Sequence, residues 1–293
     1  MAVGSEQRPY GALLDAVRGV RWPAGRLVSG GAPGSHQARS RGVAPEFAEY
    51  RPYRQGDDPR RIDWKLLARS DRAFIRLAPD HAILGTTFIV DASASMAFGK
   101  KWQMAKELVI ALAAAAHAGA DPVGLAVATA HGARHLEPRT RRGVVTEFAR
   151  LLDEVRPMGS EPLAPSLAGA AARCVVVTDC LGDFDALRQA LGRHRAIGGE
   201  AHLLHVVARA ELEPPTEPMM ATDPEDPALQ RPLMDSTREA YLGRFAEFRA
   251  DIARQVRGDG VWYHEVVDDV TPEVAVRRIV TPGQPAESAG TRR

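Results

Sequence analysis

The stretch Thr87-Phe88-Ile89-Val90-Asp91-Ala92-Ser93-Ala94-Ser95-Met96 decides the fold. Apolar and β-branched residues run into an acid, and two serines follow at alternate positions. Such a run is typical of a buried strand that feeds a loop at its carboxyl end, which is the edge where open α/β sheets bind ligands. Asp91, Ser93 and Ser95 offer hard oxygen ligands, which suit Mg²⁺ better than zinc. The same residues could instead serve only to cap a helix.

Strands and helices alternate around and beyond this stretch. The pattern predicts an α/β fold with a doubly wound, mostly parallel sheet of Rossmann type and helices on both faces. A Pro- and acid-rich segment, 211–232, is expected to be an exposed and mobile loop. The strands are predicted at 83–91, 123–129, 134–137 (a short edge strand), 173–179, 201–208 and 261–266, and the helices at 101–119, 143–155, 163–172, 183–194, 235–256 and 272–279.

A second carboxylate strengthens the metal interpretation. Asp179 ends the fourth strand, and in a doubly wound sheet the first and fourth strands lie side by side across the topological switch point. Asp91 and Asp179 would therefore flank one crevice. The loop 157–163 is expected to reach the same crevice.

Composition excludes several classes of function. The apolar fraction is 45%, the net charge is +1 and there are two cysteines. A balanced charge gives no bulk attraction to nucleic acid or to a membrane surface. No apolar run is long enough for a transmembrane segment, and the N-terminus lacks a signal-peptide core, so we expect a cytoplasmic protein.

The N-terminal part precedes the main domain as a smaller segment. Residues 1–41 are expected to hold a short helix and a flexible stretch, residues 42–80 to pack on the main domain at 81–280, and residues 281–293 to form a disordered tail. Arginines, acids and aromatics interleave within 42–80, which favours a structural clasp or a protein interface. The residues singled out there are Arg51, Tyr53, Gly56, Asp57, Arg60, Asp63, Trp64 and Arg69.

On these residues the chain resembles a known family. The Asp-x-Ser-x-Ser loop is similar to the metal-ion-dependent adhesion site (MIDAS) of a von Willebrand factor type A (vWA) domain. The segment 42–69 resembles the signature of the bacterial family catalogued as domain of unknown function fifty-eight, whose members join that signature to such a domain. The likeness covers roughly residues 42–279.

The resemblance implies a weakly bound Mg²⁺, or another divalent cation such as Mn²⁺. Ser93 and Ser95 would coordinate it directly, while Asp91 and Asp179 would act through water. Glu161 stands where type A domains have a threonine ligand. Either Ser160 supplies the missing hydroxyl or Glu161 itself binds the ion.

The resemblance also implies a function. It indicates a non-enzymatic protein-interaction module, a Mg²⁺-dependent adaptor that works with a MoxR-type AAA+ ATPase on an unknown client in protein assembly or maturation. One alternative is a scaffold with a degenerate metal site. Another is a metal-dependent hydrolase, for which the sequence offers no clear nucleophile or base.

Overall fold

The computed structural model describes residues 10–24, 33–37, 49–53, 64–70, 72–77, 81–225 and 228–281. These residues belong to two compact units, one made of the N-terminal residues up to 23 together with 85 onward, the other of residues 24–84. The N-terminal helix thus belongs with the main unit rather than with the stretch that follows it. The tail from residue 282 lies outside the described residues.

Twelve strands and eight helices are found in the described part of the chain. None of these helices combines the length and the apolar character needed to cross a membrane. In chain order the elements are α1 (Gly11–Ala16), β1 (Pro33–Gln37), β2 (Glu49–Pro52), α2 (Trp64–Ser70), β3 (Phe74–Leu77), β4 (His81–Ala82), β5 (Thr86–Asp91), α3 (Lys101–Ala118), β6 (Val123–Thr129), β7 (Gly132–Arg139), α4 (Val144–Glu154), β8 (Arg173–Thr178), α5 (Phe184–Ala196), β9 (Glu200–Val207), α6 (Arg209–Leu212), β10 (Met219–Thr222), β11 (Gln230–Leu233), α7 (Asp235–Gly258), β12 (Trp262–Val267) and α8 (Pro272–Val280).

The main unit is built on a six-stranded sheet with the order β12-β9-β8-β5-β6-β7. Its strands are parallel except β7, which runs antiparallel to β6 at one edge. The predicted doubly wound α/β class is therefore confirmed. β5 and β8 are neighbours, with Val90 opposite Val177, so the first and fourth strands of the sheet end side by side as predicted.

Apolar side chains of β5 enter two cores on opposite faces of the sheet. Phe88 and Val90 pack into the cluster formed with α3, α4 and α8. Ile89 points the other way, into the cluster formed with α5 and α7. All three side chains have no exposed surface, and burial of each contributes about 1.5–3 kcal/mol. This two-sided burial explains why the strand reads as a continuous apolar run.

Arg173 anchors Trp22 and Pro23 within the main unit. Its guanidinium lies 4.4 Å above the ring of Trp22 and donates a hydrogen bond of 2.7 Å to the Pro23 carbonyl. The same side chain donates to Glu200 at 2.7 Å. Arg173 has no exposed surface and Trp22 only 3%, so this anchor is part of the core.

The predicted helix at 163–172 is wrong. The segment holds only a 3₁₀ turn, Ala164–Leu167. Gly169 adopts a φ of +78°, a left-handed conformation that ends a helix. The Leu and Ala residues around this glycine carried the mistaken helical signal.

The expected loop at 211–232 is also wrong in part. β10 and β11 pair antiparallel from Met219 opposite Leu233 to Thr222 opposite Gln230 and form a hairpin. Every residue of β10 is exposed, as are three of the four residues of β11. Because neither strand buries one face, the alternation of apolar and polar residues that marks a strand is absent from the sequence.

Candidate functional site

The loop after β5 places Asp91, Ser93 and Ser95 at the carboxyl edge of the sheet. Asp91 Oδ1 accepts a 2.9 Å hydrogen bond from the Ser93 backbone N–H, which turns the chain out of the strand. Ser93 precedes the 3₁₀ turn Ala94–Ala97, but its side chain makes no capping hydrogen bond. Instead Ser93 Oγ lies 3.1 Å from Ser95 Oγ. The two hydroxyls are thus paired with each other rather than used as caps.

Thr178, the last residue of β8, holds the other side of Asp91. Its hydroxyl donates to Asp91 Oδ2 at 2.6 Å and accepts from the Cys180 backbone N–H at 3.0 Å. Burial, and next the charge of nearby Asp179, raise the pKa of Asp91, while the hydrogen bonds from Thr178 and Ser93 partly oppose this. The sequence interpretation missed Thr178, although its place directly before Asp179 at the end of a strand was a usable signal.

Asp179 is held by a buried cation from α3. Lys101 Nζ lies 2.7 Å from Asp179 Oδ2 and 3.0 Å from Glu211 Oε1. Asp179 Oδ1 also accepts from the Leu181 backbone N–H at 3.2 Å. Lys101 has no exposed surface and Asp179 only 3%. The sequence offered no signal for this lysine, because a basic residue at the start of a helix ordinarily lies in solvent.

Backbone hydrogen bonds bring the loop 157–163 against the serine loop. The Met158 N–H donates to the Ala92 carbonyl at 2.8 Å, and the Ala94 N–H donates to the Gly159 carbonyl at 2.9 Å. Gly159 has a φ of +70°, and a Cβ there would lie 2.7 Å from that of Ala130. Only glycine can adopt this φ so close to Ala130 without strain. The resulting backbone path places Ser160 and Glu161 at the site.

A cleft with about 350 Å³ of space open to solvent lies between these loops. Among the described residues, four acids and no Lys, Arg or His side chain line it. Burial first, then the charges of Asp179 and Asp91, raise the pKa of Glu225. The lining residues are Asp91, Ser93, Ser160, Glu161, Leu163, Thr178, Cys180, Gly182, Asp183, Phe184, Leu187 and Glu225.

The spacing of the two serine hydroxyls is compatible with a small hard cation. Octahedral Mg²⁺ binds oxygen at about 2.0–2.1 Å, which sets neighbouring ligand oxygens about 2.9 Å apart. The Ser93 and Ser95 hydroxyls, 3.1 Å apart, match one such edge. Within the described ranges, no three His, Cys, Asp or Glu side chains form a group that could hold a metal ion. A cation here would therefore depend on the serine hydroxyls and on water.

The N-terminal signature residues fall mostly in the smaller unit or outside the described ranges. Arg51 lies in β2, and the Tyr53 N–H donates to the Ala73 carbonyl at 2.8 Å. Trp64 and Arg69 lie in α2 and are both exposed, Trp64 by 62%. The residues that lie outside the described ranges are Gly56, Asp57, Arg60 and Asp63.

Several solved structures and curated proteins are similar to this chain. A crystal structure of the conserved hypothetical protein BatB from Bacteroides thetaiotaomicron has a TM-score of 0.45 and 15% identity, over 68% of this chain and 96% of that chain. The VWA domain of SpRpn10 has a TM-score of 0.41 and 11% identity, over 69% of this chain and 99% of that chain.

Among curated proteins, the uncharacterized protein Rv1480 of Mycobacterium tuberculosis (strain ATCC 25618 / H37Rv) is 26% identical over 267 residues. That alignment covers 85% of this chain and 82% of the relative. A family model described as protein of unknown function DUF58 matches residues 49–251, which is more than half of the chain. The family resemblance of the sequence is therefore confirmed, and the chain belongs to the DUF58 family.

Proposed function

We propose that this protein is a non-enzymatic protein-interaction module that binds a divalent cation, Mg²⁺ or Mn²⁺, at the carboxyl edge of its sheet. The observation that carries the proposal is the hydroxyl pair of Ser93 and Ser95, which makes no helix cap and has the spacing of an octahedral edge. The acids that line the cleft add a negative field that favours a cation there.

Each residue of the site has a separate task in this proposal. Ser93 and Ser95 bind the cation, and Ser160 or Glu161 adds a further ligand. Asp91 orients the serine loop through the Ser93 N–H and holds cation-bound water. Asp179, partly neutralised by Lys101, adds a weaker field. When bound, the cation offers a coordination position to a carboxylate of a protein partner.

An apolar rim supports a protein as the partner. Phe98, Met158 and Leu181 are 44%, 49% and 47% exposed. They lie on three loops at this edge of the sheet. Phe98 follows the serine turn, Met158 lies in the loop 157–163, and Leu181 follows β8. Exposed large apolar side chains around a polar centre are typical of a binding surface. From the family resemblance, the partner we propose is a MoxR-type AAA+ ATPase, with an unknown client.

Mg²⁺ titration against thermal stability tests the cation. A ligand that binds only the folded state at ten times its Kd adds about 1.4 kcal/mol to the free energy of unfolding. We expect Mg²⁺ to stabilise the wild type but not the double variant Ser93→Ala/Ser95→Ala. Ser166→Ala, which changes a buried serine in the 3₁₀ turn Ala164–Leu167, is the matched control and should respond like the wild type. No shift of the wild type at millimolar Mg²⁺ would contradict the proposal.

A pull-down of the ATPase with and without chelator tests the partner. Binding that survives chelator would rule out the cation-bridged mode.

One observation favours the scaffold alternative. Lys101 already places a positive charge 2.7 Å from Asp179, so part of the charge that a cation would balance is balanced by the protein. In that case Mg²⁺ would have no effect on stability, and partner binding would not need it. The hydrolase alternative gains no support from the cleft thiol, because burial raises the pKa of Cys180 well above its ordinary value and makes it a poor nucleophile.

A further inference from the structure

β7 forms an exposed edge of the six-stranded sheet. It is the last strand in the sheet order, and seven of its eight residues are exposed. Among the residues that the structure describes, no strand pairs with its outer side. Such an edge presents backbone N–H and C=O groups to which another strand can bind. β7 is therefore an interaction surface of a kind that differs from the cation site.

Pairing with β6 determines which backbone groups of β7 point outward. The two strands are joined by a two-residue turn, on either side of which Thr129 lies opposite Gly132. In such a hairpin the two residues that close the turn exchange hydrogen bonds, and bonded and non-bonded pairs alternate from there along the strands. The next residue of β7, Ala133, is then in a non-bonded pair, and so is His135. The N–H and C=O groups of Ala133 and His135 therefore face away from β6.

A bulge ends the regular part of this edge. Two residues of β7, Glu137 and Pro138, lie opposite Gly124 of β6. An added Cβ at Gly124 would lie 2.9 Å from the Pro138 ring, so the glycine makes room for the proline. A proline and a bulge both hinder pairing with a further strand. The regular edge thus runs from Gly132 to Leu136, which is long enough to bind a short extended segment.

Basic residues surround this edge. The stretch 131–142 contains four arginines and two histidines but a single acid, Glu137. Arg134 and Arg141 pair with acids of α4. Within the described ranges, Arg139 and Arg142 form no ion pair. The edge is therefore positively charged, which favours an acidic partner.

Two of the arginines lie on the same face of the sheet. In an antiparallel pair, residues opposite each other have their side chains on one face. Arg139 lies opposite Val123, which belongs to the core on the α4 face, and Arg134 pairs with an acid of α4 itself. Ala133 lies on the other face, opposite Ala128. A strand that complements this edge would thus carry acids on the α4 face and apolar side chains on the other.

The same charges decide which partner fits. Pairing between the β7 edges of two copies would bring arginines against arginines, and like charges opposite each other destabilise a strand pair. A nucleic acid would match the positive charge but would not pair with the alternating N–H and C=O groups. We propose that β7 binds an extended segment of a partner protein, in which acidic and apolar residues alternate, as an added strand of the sheet. This second interface goes beyond the proposed function and does not require the cation.

Fluorescence anisotropy of a labelled peptide of alternating glutamate and valine tests the inference. The peptide is added to the full-length protein in the presence of chelator, so that the result is independent of the cation site. We expect the wild type to bind this peptide but not its counterpart with lysine in place of glutamate. A third peptide keeps the glutamates but is methylated on its backbone nitrogens, and it should not bind because it cannot donate main-chain hydrogen bonds. Equal binding of the methylated and unmethylated peptides, or no binding of the glutamate peptide, would overturn the inference.

Variants of β7 locate the binding site. His135→Pro removes an outward N–H without breaking a bond to β6, and it should weaken binding of the glutamate peptide about tenfold or more. His135→Ala is the matched control, since it loses the same side chain but keeps the N–H, and it should bind like the wild type. Equal binding by the two variants, with both shown to be folded by thermal melting, would contradict the added strand. If His135→Pro does not fold, the methylated peptide decides.

Charge reversal tests the acidic character of the partner. Arg139→Glu should weaken binding of the glutamate peptide about tenfold or more, because it places a like charge beside the bound acids. Arg193→Glu, which reverses an exposed arginine on α5, is the control and should bind like the wild type. Equal binding by these two variants would show that the edge does not select acids.

Two results would assign the edge to a different occupant and so overturn the proposal. One is a short single-stranded DNA that binds the wild type as tightly as the peptide and binds Arg139→Glu more weakly. The other is a dimer of the wild type in sedimentation velocity that is absent from His135→Pro, which would make a second copy of this chain the occupant.

Discussion

A fully buried ammonium stands beside the candidate site. Lys101 Nζ pairs with Asp179 and Glu211, and the other oxygen of Glu211 accepts from the Ala208 N–H at 2.7 Å. One lysine therefore links the end of β8 to the start of α6. A buried pair adds little net stability over an apolar replacement of both partners, but removal of one partner leaves an unpaired buried charge.

We predict that Lys101→Met lowers the free energy of unfolding by about 3–5 kcal/mol, because the Asp179 and Glu211 carboxylates lose their counter-charge. Urea unfolding at neutral pH measures the change. Lys106→Met is the control on the same helix, since its pair with Asp153 is 38% exposed on the acid side and should contribute no more than about 1 kcal/mol. An equal decrease in the free energy of unfolding of the two variants would show that the charge of Lys101 does not stabilise Asp179 in the folded protein.

The conformation of the loop 157–163 depends on Gly159. Two hydrogen bonds join this loop to the serine loop, one donated by the Met158 N–H and one accepted by the Gly159 carbonyl, and Gly159 lies too close to Ala130 for a side chain. The backbone of this loop, more than any single ligand, places Ser160 and Glu161 at the cleft.

We predict that Gly159→Ala destabilises the protein by more than 1 kcal/mol and reduces the Mg²⁺-induced shift in Tm, because it adds a clash to an unfavourable left-handed φ. Gly143→Ala is the control, since Gly143 has a φ of +89° but no atom within 4 Å of an added Cβ. Gly143→Ala therefore has the energetic cost of the left-handed φ without the clash. If both variants lose the same stability and bind Mg²⁺ equally, the close approach to Ala130 does not position the site.

The dependence of folding on pH belongs to the molecule as a whole. Burial lowers the pKa of His205 to about 4 and, together with the charge of His202, that of His264 to about 3. His202 Nδ1 lies 3.3 Å from His264 Nε2. The ordinary pKa of histidine is about 6.5. Between that pH and the lowered pKa values, these histidines are protonated in the unfolded chain but remain neutral in the folded chain.

The contribution of these histidines to the free energy of unfolding should therefore be fully present above about pH 6.5. It should fall as the pH drops toward 4, by at most about 1.4 kcal/mol per pH unit for each such histidine. We predict that His264→Gln flattens this slope between pH 7 and pH 5, as measured by urea unfolding. His135→Gln, an exposed histidine on β7, should leave the slope unchanged. The lowered pKa of Glu200, about 2, acts only at lower pH. A slope unaffected by His264→Gln would contradict the assignment.

The sequence by itself determined the fold class and the place of the serine loop. β5 is buried on both faces, so its apolar run had to be continuous, and a parallel sheet had to deliver Asp91 and Asp179 to one edge. These are consequences of local composition and of the period of each element. The same local signals failed at residues 163–172, where Gly169 ends the helical run with a left-handed φ, and at β10 and β11, which bury no face.

Only the tertiary structure decided what surrounds those acids. Thr178, Lys101 and Glu225 reach the site from three different elements. Nothing in the local sequence marks Lys101 or Glu225, because their positions come from burial and from contacts between residues far apart in the chain. The pairing of the Ser93 and Ser95 hydroxyls at 3.1 Å, in place of a helix cap by Ser93, likewise follows from the packing of the loops around them.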